Sequence, residues 1–270
     1  MTTKQALNSP IGIFDSGLGG LTVLKSLEKI LPQESFIYFG DTAHVPYGTK
    51  SAETVTQYSQ HILDFFLKHK TKAVVIACNT ASAVAFVHLQ RNYDIPLFDV
   101  VSPSVEYSIN VTKTKKIGVI GTYSTIHSKA YTDMFKKLDS DCEIYEIPCP
   151  LFVPLIEEGW SNRLVAKEVA EIYLRDFVNR NIDTLILGCT HYPIMVNTIQ
   201  SVLSNNIQLV YSGETVGHKL LEFLKKNNCE NSSGSTSVKF FVSDFPQKFD
   251  ELGSGFLGRE LNNVQHIALL

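Results

Sequence analysis

Short, unbroken apolar runs recur along the chain, separated by longer stretches in which apolar residues return every three or four positions. The runs at 11–14, 36–39, 73–77, 117–120, 144–147 and 184–187 are continuous rather than alternating. Such runs suit strands of a parallel sheet that is covered on both faces. Gln208–Tyr211 and Val238–Val242 read as two further strands. Between the runs, Val55, Tyr58, Ile62 and Phe65 fall on one face of a helix whose N-terminus Ser51 can cap. Leu164, Val169, Ile172 and Phe177 suggest the apolar face of a second helix. Alternation of β and α patterns predicts an α/β fold with parallel sheets.

An internal repeat refines this picture. Ile11-Gly-Ile-Phe-Asp15 opens a strand, a Gly-rich turn and a helix, and Ile117-Gly-Val-Ile-Gly121 does the same 106 residues later. Ala73-Val-Val-Ile-Ala-Cys78-Asn-Thr80 is echoed by Thr184-Leu-Ile-Leu-Gly-Cys189-Thr-His191, 111 residues later. Any two βα units share some likeness, but two matches at similar spacing favour two similar halves. The second half is expected to end near residue 204, and the polar stretch 227–237 reads as a surface loop. The expected division is a first domain of residues 1–98 and 208–270, carrying Cys78, and a second of residues 99–207, carrying Cys189.

Composition adds bounds. A chain of 270 residues suits two domains and buries roughly three quarters of its unfolded surface, so no disulfide or metal staple is needed. Hydrophobic residues are 44% and charged residues 19%, ordinary values for a globular protein. A net charge of −3 without a basic block argues against nucleic acid. No stretch approaches the roughly 20 apolar residues needed to span a membrane, and residues 1–10 hold no signal-like run. Cytoplasm is the expected compartment. Five scattered cysteines, Cys78, Cys142, Cys149, Cys189 and Cys229, read as free thiols.

Open α/β sheets bind ligands at the carboxyl ends of their strands. There the chain places Asp15 and Ser16; Asp41, Pro46, Tyr47 and Gly48; Cys78, Asn79 and Thr80; Thr122 and Thr125; and Cys189, Thr190 and His191. Helix N-termini begin at these ends, and Pro193 suits the first turn of one, so a small anion can be held without a basic patch. Plainer readings compete. Gly17-Leu-Gly-Gly20 is not the dinucleotide fingerprint and reads as a tight turn that allows close backbone approach. A lone cysteine at a strand end is usually a small buried hydrophobe. Two of them at equivalent places of a repeat, each near Thr, favour chemistry. Cys142, Cys149 and Cys229 lack that context and read as structural. A zinc site from Cys78, Cys189 and His191 has no Cys-x-x-Cys pair behind it, so no metal is expected. His191 alone would pass for a surface histidine and Asp15 for a helix cap. Glu157 is evenly balanced between a solvated helix end and a functional carboxylate.

These segments resemble the glutamate racemases of the aspartate/glutamate racemase superfamily. The resemblance rests on Phe14-Asp-Ser-Gly-Leu-Gly-Gly20, Gly40-Asp-Thr-Ala-His-Val-Pro-Tyr-Gly48, Ala77-Cys-Asn-Thr-Ala-Ser82, Gly118-Val-Ile-Gly-Thr122 with Thr125, Cys149-Pro-Leu-Phe-Val-Pro-Leu-Ile-Glu157 and Gly188-Cys-Thr-His-Tyr-Pro193. They stand in the family's order and span roughly residues 11–215. The segment Tyr211-Ser-Gly-Glu-Thr215 is only an approximate match. The resemblance implies two α/β domains related by pseudo-two-fold symmetry, with glutamate in the cleft and the two cysteines on opposite sides of its α-carbon. It implies a substrate site of Asp15, Ser16, Pro46, Tyr47, Gly48, Asn79, Thr80, Thr122, Thr125, Thr190 and His191, with Asp41 and Glu157 as further acidic positions. His191 favours glutamate, because aspartate-specific relatives more often carry an acidic residue there. The family's D-glutamate serves peptidoglycan synthesis. The short N-terminal lead differs from relatives activated by a cell-wall precursor, so that regulation is not expected. A homodimer stays open.

Racemisation removes the α-proton from one face and returns one to the other, which calls for two acid/base groups. A cysteine, with an unperturbed pKa of about 8.5, lies closer to neutrality than a carboxylate. By resemblance, Cys78 abstracts from D-glutamate and Cys189 from L-glutamate, with Asp15 and His191 as their proton-tuning partners. No cofactor is expected: helix N-termini with Asn79, Thr80 and Thr190 would bind the α-carboxylate as its charge grows. The rivals are a racemase for aspartate or a hydantoin, an amino-acid-binding module, and a cysteine hydrolase using Cys189 and His191. Adjacency on one short turn argues against that last pair.

Overall fold

A computed structural model describes residues 7–203 and 206–269. The strands are β1 (Ile11–Asp15), β2 (Phe36–Gly40), β3 (Ala73–Ile76), β4 (Leu97–Asp99), β5 (Lys116–Gly121), β6 (Glu143–Pro148), β7 (Thr184–Gly188), β8 (Gln208–Tyr211), β9 (Val238–Val242) and β10 (Val264–His266). The helices are α1 (Leu21–Ile30), α2 (Ala52–Lys68), α3 (Asn79–Asn92), α4 (Val101–Val111), α5 (Tyr123–His127), α6 (Ala130–Leu138), α7 (Phe152–Glu157), α8 (Leu164–Arg180), α9 (Val196–Val202), α10 (Ser212–Lys226) and α11 (Pro246–Leu257). Two sheets form, in the orders β10-β9-β2-β1-β3-β4 and β6-β5-β7-β8. Every pairing is parallel. The fold is therefore two parallel-sheet α/β domains. Among the described residues, no helix is long and apolar enough to cross a membrane.

The internal repeat is carried into the hydrogen-bond register. Ile11 lies opposite Phe36 and Ala73 in the first sheet, and Ile117 lies opposite Ile144 and Thr184 in the second. Val74 pairs with Leu97 as Leu185 pairs with Leu209. Cys78 and Cys189, each five positions beyond the matched Ala73 and Thr184, thus leave their sheets at the same place. The buried strands are apolar at successive positions because helices cover both faces of each sheet.

Each domain lends a helix to the other. α4 follows the edge strand of the first sheet yet packs on β7, β8 and α6 of the second. α10 follows the edge strand of the second sheet and packs on α1 of the first. The two exchanged helices touch one another, and the hydroxyls of Ser104 and Thr215 lie 3.1 Å apart between them.

Several sequence-based expectations need correcting. Gln208–Tyr211 pairs with β7, so it completes the second sheet and does not begin the return to the first. The return runs through α10, four residues later than the expected boundary at 207/208; the earlier expectation of an end near residue 204 lies outside the described residues. On α8 the buried face is Ala166, Ala170, Leu174 and Phe177. Leu164 and Ile172, expected inside, are 72% and 67% exposed. Small alanines let α8 lie close against its neighbours, and that face wins over the larger aliphatics. β4 and β10 were not anticipated, being three residues each. The helix beginning after Ser51 is as expected: Ser51 Oγ accepts from Thr54 N at 3.3 Å, and Val55, Ile62 and Phe65 are buried.

Candidate active site

A cavity of about 370 Å³ opens between the carboxyl ends of the two sheets. Ser16, Pro46, Tyr47, Gly48, Cys78, Asn79, Thr80, Thr122, Glu157, Cys189, Thr190 and His191 line it, all anticipated from sequence. Gly17, Val45, Thr49, Tyr123, Pro150, Val153, Pro154 and Glu158 line it too and were not. Most of these eight are apolar or small, and Tyr123 and Glu158, the two with titratable side chains, lie outside the motifs that mark their neighbours Thr122 and Glu157 in the sequence. Asp15 and Thr125 lie just behind the lining, fully buried. Among the described residues, no group of three or more His, Cys, Asp and Glu is placed to hold a metal ion.

The walls from the two domains are drawn together closely. A Cβ at Gly19 would collide with the side chains of Thr190 and His191, and one at Gly48 would lie 2.7 Å from Thr122 Cβ. Only glycine permits these approaches. The Gly-rich turn is thus a contact surface for the opposite domain. Thr22 Oγ1 donates to the Thr190 carbonyl at 2.7 Å, and Ser124 Oγ donates to the Gly48 carbonyl at 2.8 Å. Thr80, Thr122 and Thr125 join their hydroxyls at 2.9–3.1 Å across the cleft.

Both cysteines are buried, and their surroundings differ. Cys78 caps the N-terminus of α3, and its thiol donates to Ser16 Oγ at 3.9 Å. Burial, reinforced by the negative charge of Asp15, pushes this thiol up to about 12. Asp15 accepts from Gly17 N at 3.0 Å and from Thr190 Oγ1 at 3.3 Å. Burial raises its carboxyl above the usual range, against the opposing pull of His191. Asp15 thus lies between the two thiols' neighbourhoods and does not belong to Cys78 alone.

Cys189 Sγ lies 3.9 Å from His191 Nδ1, and His191 Nε2 lies 3.0 Å from Glu157 Oε1. Burial opposes charge on the imidazole, but Cys189, Glu157 and Asp15 outweigh it and raise His191 to about 10. The same hydrogen bond holds Glu157 below its ordinary value. Cys189 and His191 do meet, although their adjacency on the turn argued against it: the chain turns between them, with Tyr192 N donating to the Cys189 carbonyl at 3.2 Å and His191 at the start of the 3₁₀ turn Tyr192–Met195. His191 is buried, so it is not the surface histidine considered above.

Asp41 departs from its expected catalytic place. It does not line the cavity. Tyr47 donates to Asp41 Oδ2 at 2.5 Å, Ser243 donates to Oδ1 at 2.7 Å, and His44 Nδ1 lies 2.8 Å from Oδ1. All these partners belong to its own domain, so the carboxylate anchors the Tyr47 loop. Of the remaining thiols, Cys149 is buried outside the lining and Cys142 and Cys229 are half-buried elsewhere; all five are free.

Asn79, the first residue of α3, accepts on Oδ1 from Tyr131 Oη at 2.7 Å. Its Nδ2 is buried without a partner. A donor left so costs about 1–3 kcal/mol. No acidic residue occupies the first turn of α3, so its free N–H groups and dipole also favour an anion.

Comparison with known proteins agrees with this geometry. The Asp/Glu/Hydantoin racemase family model matches residues 11–216. The glutamate racemase of Geobacter metallireducens is 45% identical over 260 residues, covering 96% of each chain. The glutamate racemase of Francisella tularensis, solved in complex with D-glutamate, superposes with a TM-score of 0.92 at 40% identity, covering 97% of this chain and 98% of that one. The glutamate racemase isoform RacE1 of Bacillus anthracis gives 0.93 at 33% identity, with 97% and 98% covered. With two register-matched thiols on one cleft and this likeness over nearly the whole chain, the protein belongs to the Asp/Glu/Hydantoin racemase family.

Proposed function

We propose that the protein interconverts L- and D-glutamate by a two-base transfer of the α-proton between Cys78 and Cys189, without a cofactor. One observation carries the mechanism: two thiols leave equivalent strand ends of two sheets and open onto one cavity. Substrate choice is supported by relatives named glutamate racemase and by the Francisella protein's complex with D-glutamate.

The N-terminus of α3, the Asn79 amide and the Thr80 and Thr190 hydroxyls receive the α-carboxylate, whose charge grows as the carbanion forms. From L-glutamate, Cys189 takes the α-proton, and the His191 cation 3.9 Å away stabilises the charge on the sulfur. Cys78, kept as thiol by burial and Asp15, returns a proton to the opposite face. From D-glutamate the roles reverse. Asp15 acts on Cys78 directly and, through Thr190 and His191, reaches the neighbourhood of Cys189. As a source of D-glutamate, the enzyme would serve peptidoglycan synthesis in the cytoplasm.

Deuterated buffer tests this reading. Each isomer of glutamate is expected to gain one solvent deuteron at the α-carbon as it converts to the other. Glutamate that binds without α-exchange would leave only a binding module, and a covalent acyl-enzyme at Cys189 would favour a hydrolase.

A further inference from the structure

We propose that Tyr131 is a positioning residue that fixes which edge of the Asn79 amide is presented to a bound carboxylate; the carboxylate's identity as glutamate's rests on the function proposed above. Asn79 begins a helix of the first domain, whereas Tyr131 belongs to α6 of the second and is fully buried. The phenol donates to Asn79 Oδ1 at 2.7 Å. Burial holds that phenol far above its ordinary range, so it stays a neutral donor. Ser212 Oγ lies 3.4 Å from the same oxygen, and also 3.4 Å from the Leu187 carbonyl. Ser212 also bonds the Tyr131 phenol, so its one proton is spread over these contacts and the short bond from Tyr131 sets the orientation. With Oδ1 turned to the tyrosine, the NH2 edge is the one without a partner, on a residue that lines the cavity. The reversed amide would offer an oxygen to an anion and repel it.

Tyr131 reaches Asn79 beside Gly188, where an added Cβ would lie 3.3 Å from the tyrosine ring. The amide of one domain is therefore oriented by a side chain packed against the strand that carries Cys189 in the other.

The test is a double-mutant cycle of Tyr131→Phe and Asn79→Ala, read as binding of D-glutamate by calorimetry and as KM and kcat for each isomer. Tyr131→Phe should weaken binding and raise KM about tenfold, the scale of one hydrogen bond to a charged group. Its kcat should fall too, but by less than KM rises, because the amide already holds the carboxylate in the ground state and gains only the charge added as the carbanion forms. In the Asn79→Ala background the same change should add less than about twofold, since the amide it orients is gone. Additive losses, or an unchanged KM in Tyr131→Phe, would overturn the proposal. Should Tyr131→Phe fail to fold, the Asn79 side-chain amide NMR signal of the wild-type protein decides: it must shift on adding D-glutamate, and a fixed signal refutes the role. Because binding is read apart from turnover, D-glutamate that binds a wild type incapable of α-exchange would strike the racemase reading and leave this one standing.

Discussion

The two sides of the cleft share a backbone and differ in their proton chemistry. Register places Thr80, two positions past Cys78, where His191 stands two positions past Cys189. On one side that position holds a neutral hydroxyl tied to Thr122 and Thr125. On the other it holds an imidazole cation tied to Glu157. The repeated fold thus supplies symmetric positions for two sulfurs, while single substitutions at matched positions make one neighbourhood cationic and leave the other a thiol beside a carboxylate. An enzyme acting on mirror-image substrates does not need mirror-image bases; it needs two carriers whose proton states complement each other.

The largest effect should come from removing either carrier. Cys78→Ala and Cys189→Ala are each expected to lower kcat/KM at least about 10³-fold for both isomers, within the range of acid–base contributions. A single variant that racemises near the wild-type rate would break the pairing. Cys142→Ser, outside the cleft, should stay within about twofold.

His191→Asn comes next, with an expected loss of about 10²-fold. The two enantiomers are equal in free energy, so kcat/KM must fall equally in both directions. The asymmetry shows instead in the α-deuterium isotope effect. Abstraction by Cys189 becomes more rate-limiting, so the effect from α-deuterated L-glutamate should rise above that from the D-isomer. Equal effects would erase the distinction between the two sides.

The smallest effect concerns stability. His191 is raised above its unfolded value, so its proton stabilises the fold fully below about pH 6.5. That contribution is lost as pH rises through about 10. Glu157→Gln should reduce the difference in unfolding free energy between pH 7 and pH 10 by on the order of 1 kcal/mol, since Glu157 is partly exposed and screened by water. Urea titrations at both pH values measure it. An identical pH dependence in the variant would show that the ion pair does not hold the proton.

Much of the molecule was legible in the sequence because its signals are local. Continuous apolar runs marked β1, β2, β3, β5, β6 and β7, and the echo of Ala73–Cys78 in Thr184–Cys189 marked the matched thiols. What was missed depends on distant packing. β4 and β10 are three residues long and carry no period. The face of α8 that turns inward is set by how near alanines let it approach, which hydrophobicity alone misreads. Asp41 sits at a strand end like a catalytic carboxylate, but Tyr47 and Ser243, the latter from the far end of the chain, claim both its oxygens. Tyr131 belongs to no motif of the sequence, and only the fold brings its hydroxyl to Asn79.

The exchange of α4 and α10 bears on how the chain can be divided. Cutting after α4 would strip the second sheet of a helix that packs on β7 and β8, and cutting after β8 would strip α1 of its cover. Each half would expose an apolar face that the other was built to fill, so neither is a portable module. The repeat has the form of two copies but the integrity of one body: it can be halved on paper, where the register lines up, and not along the polypeptide.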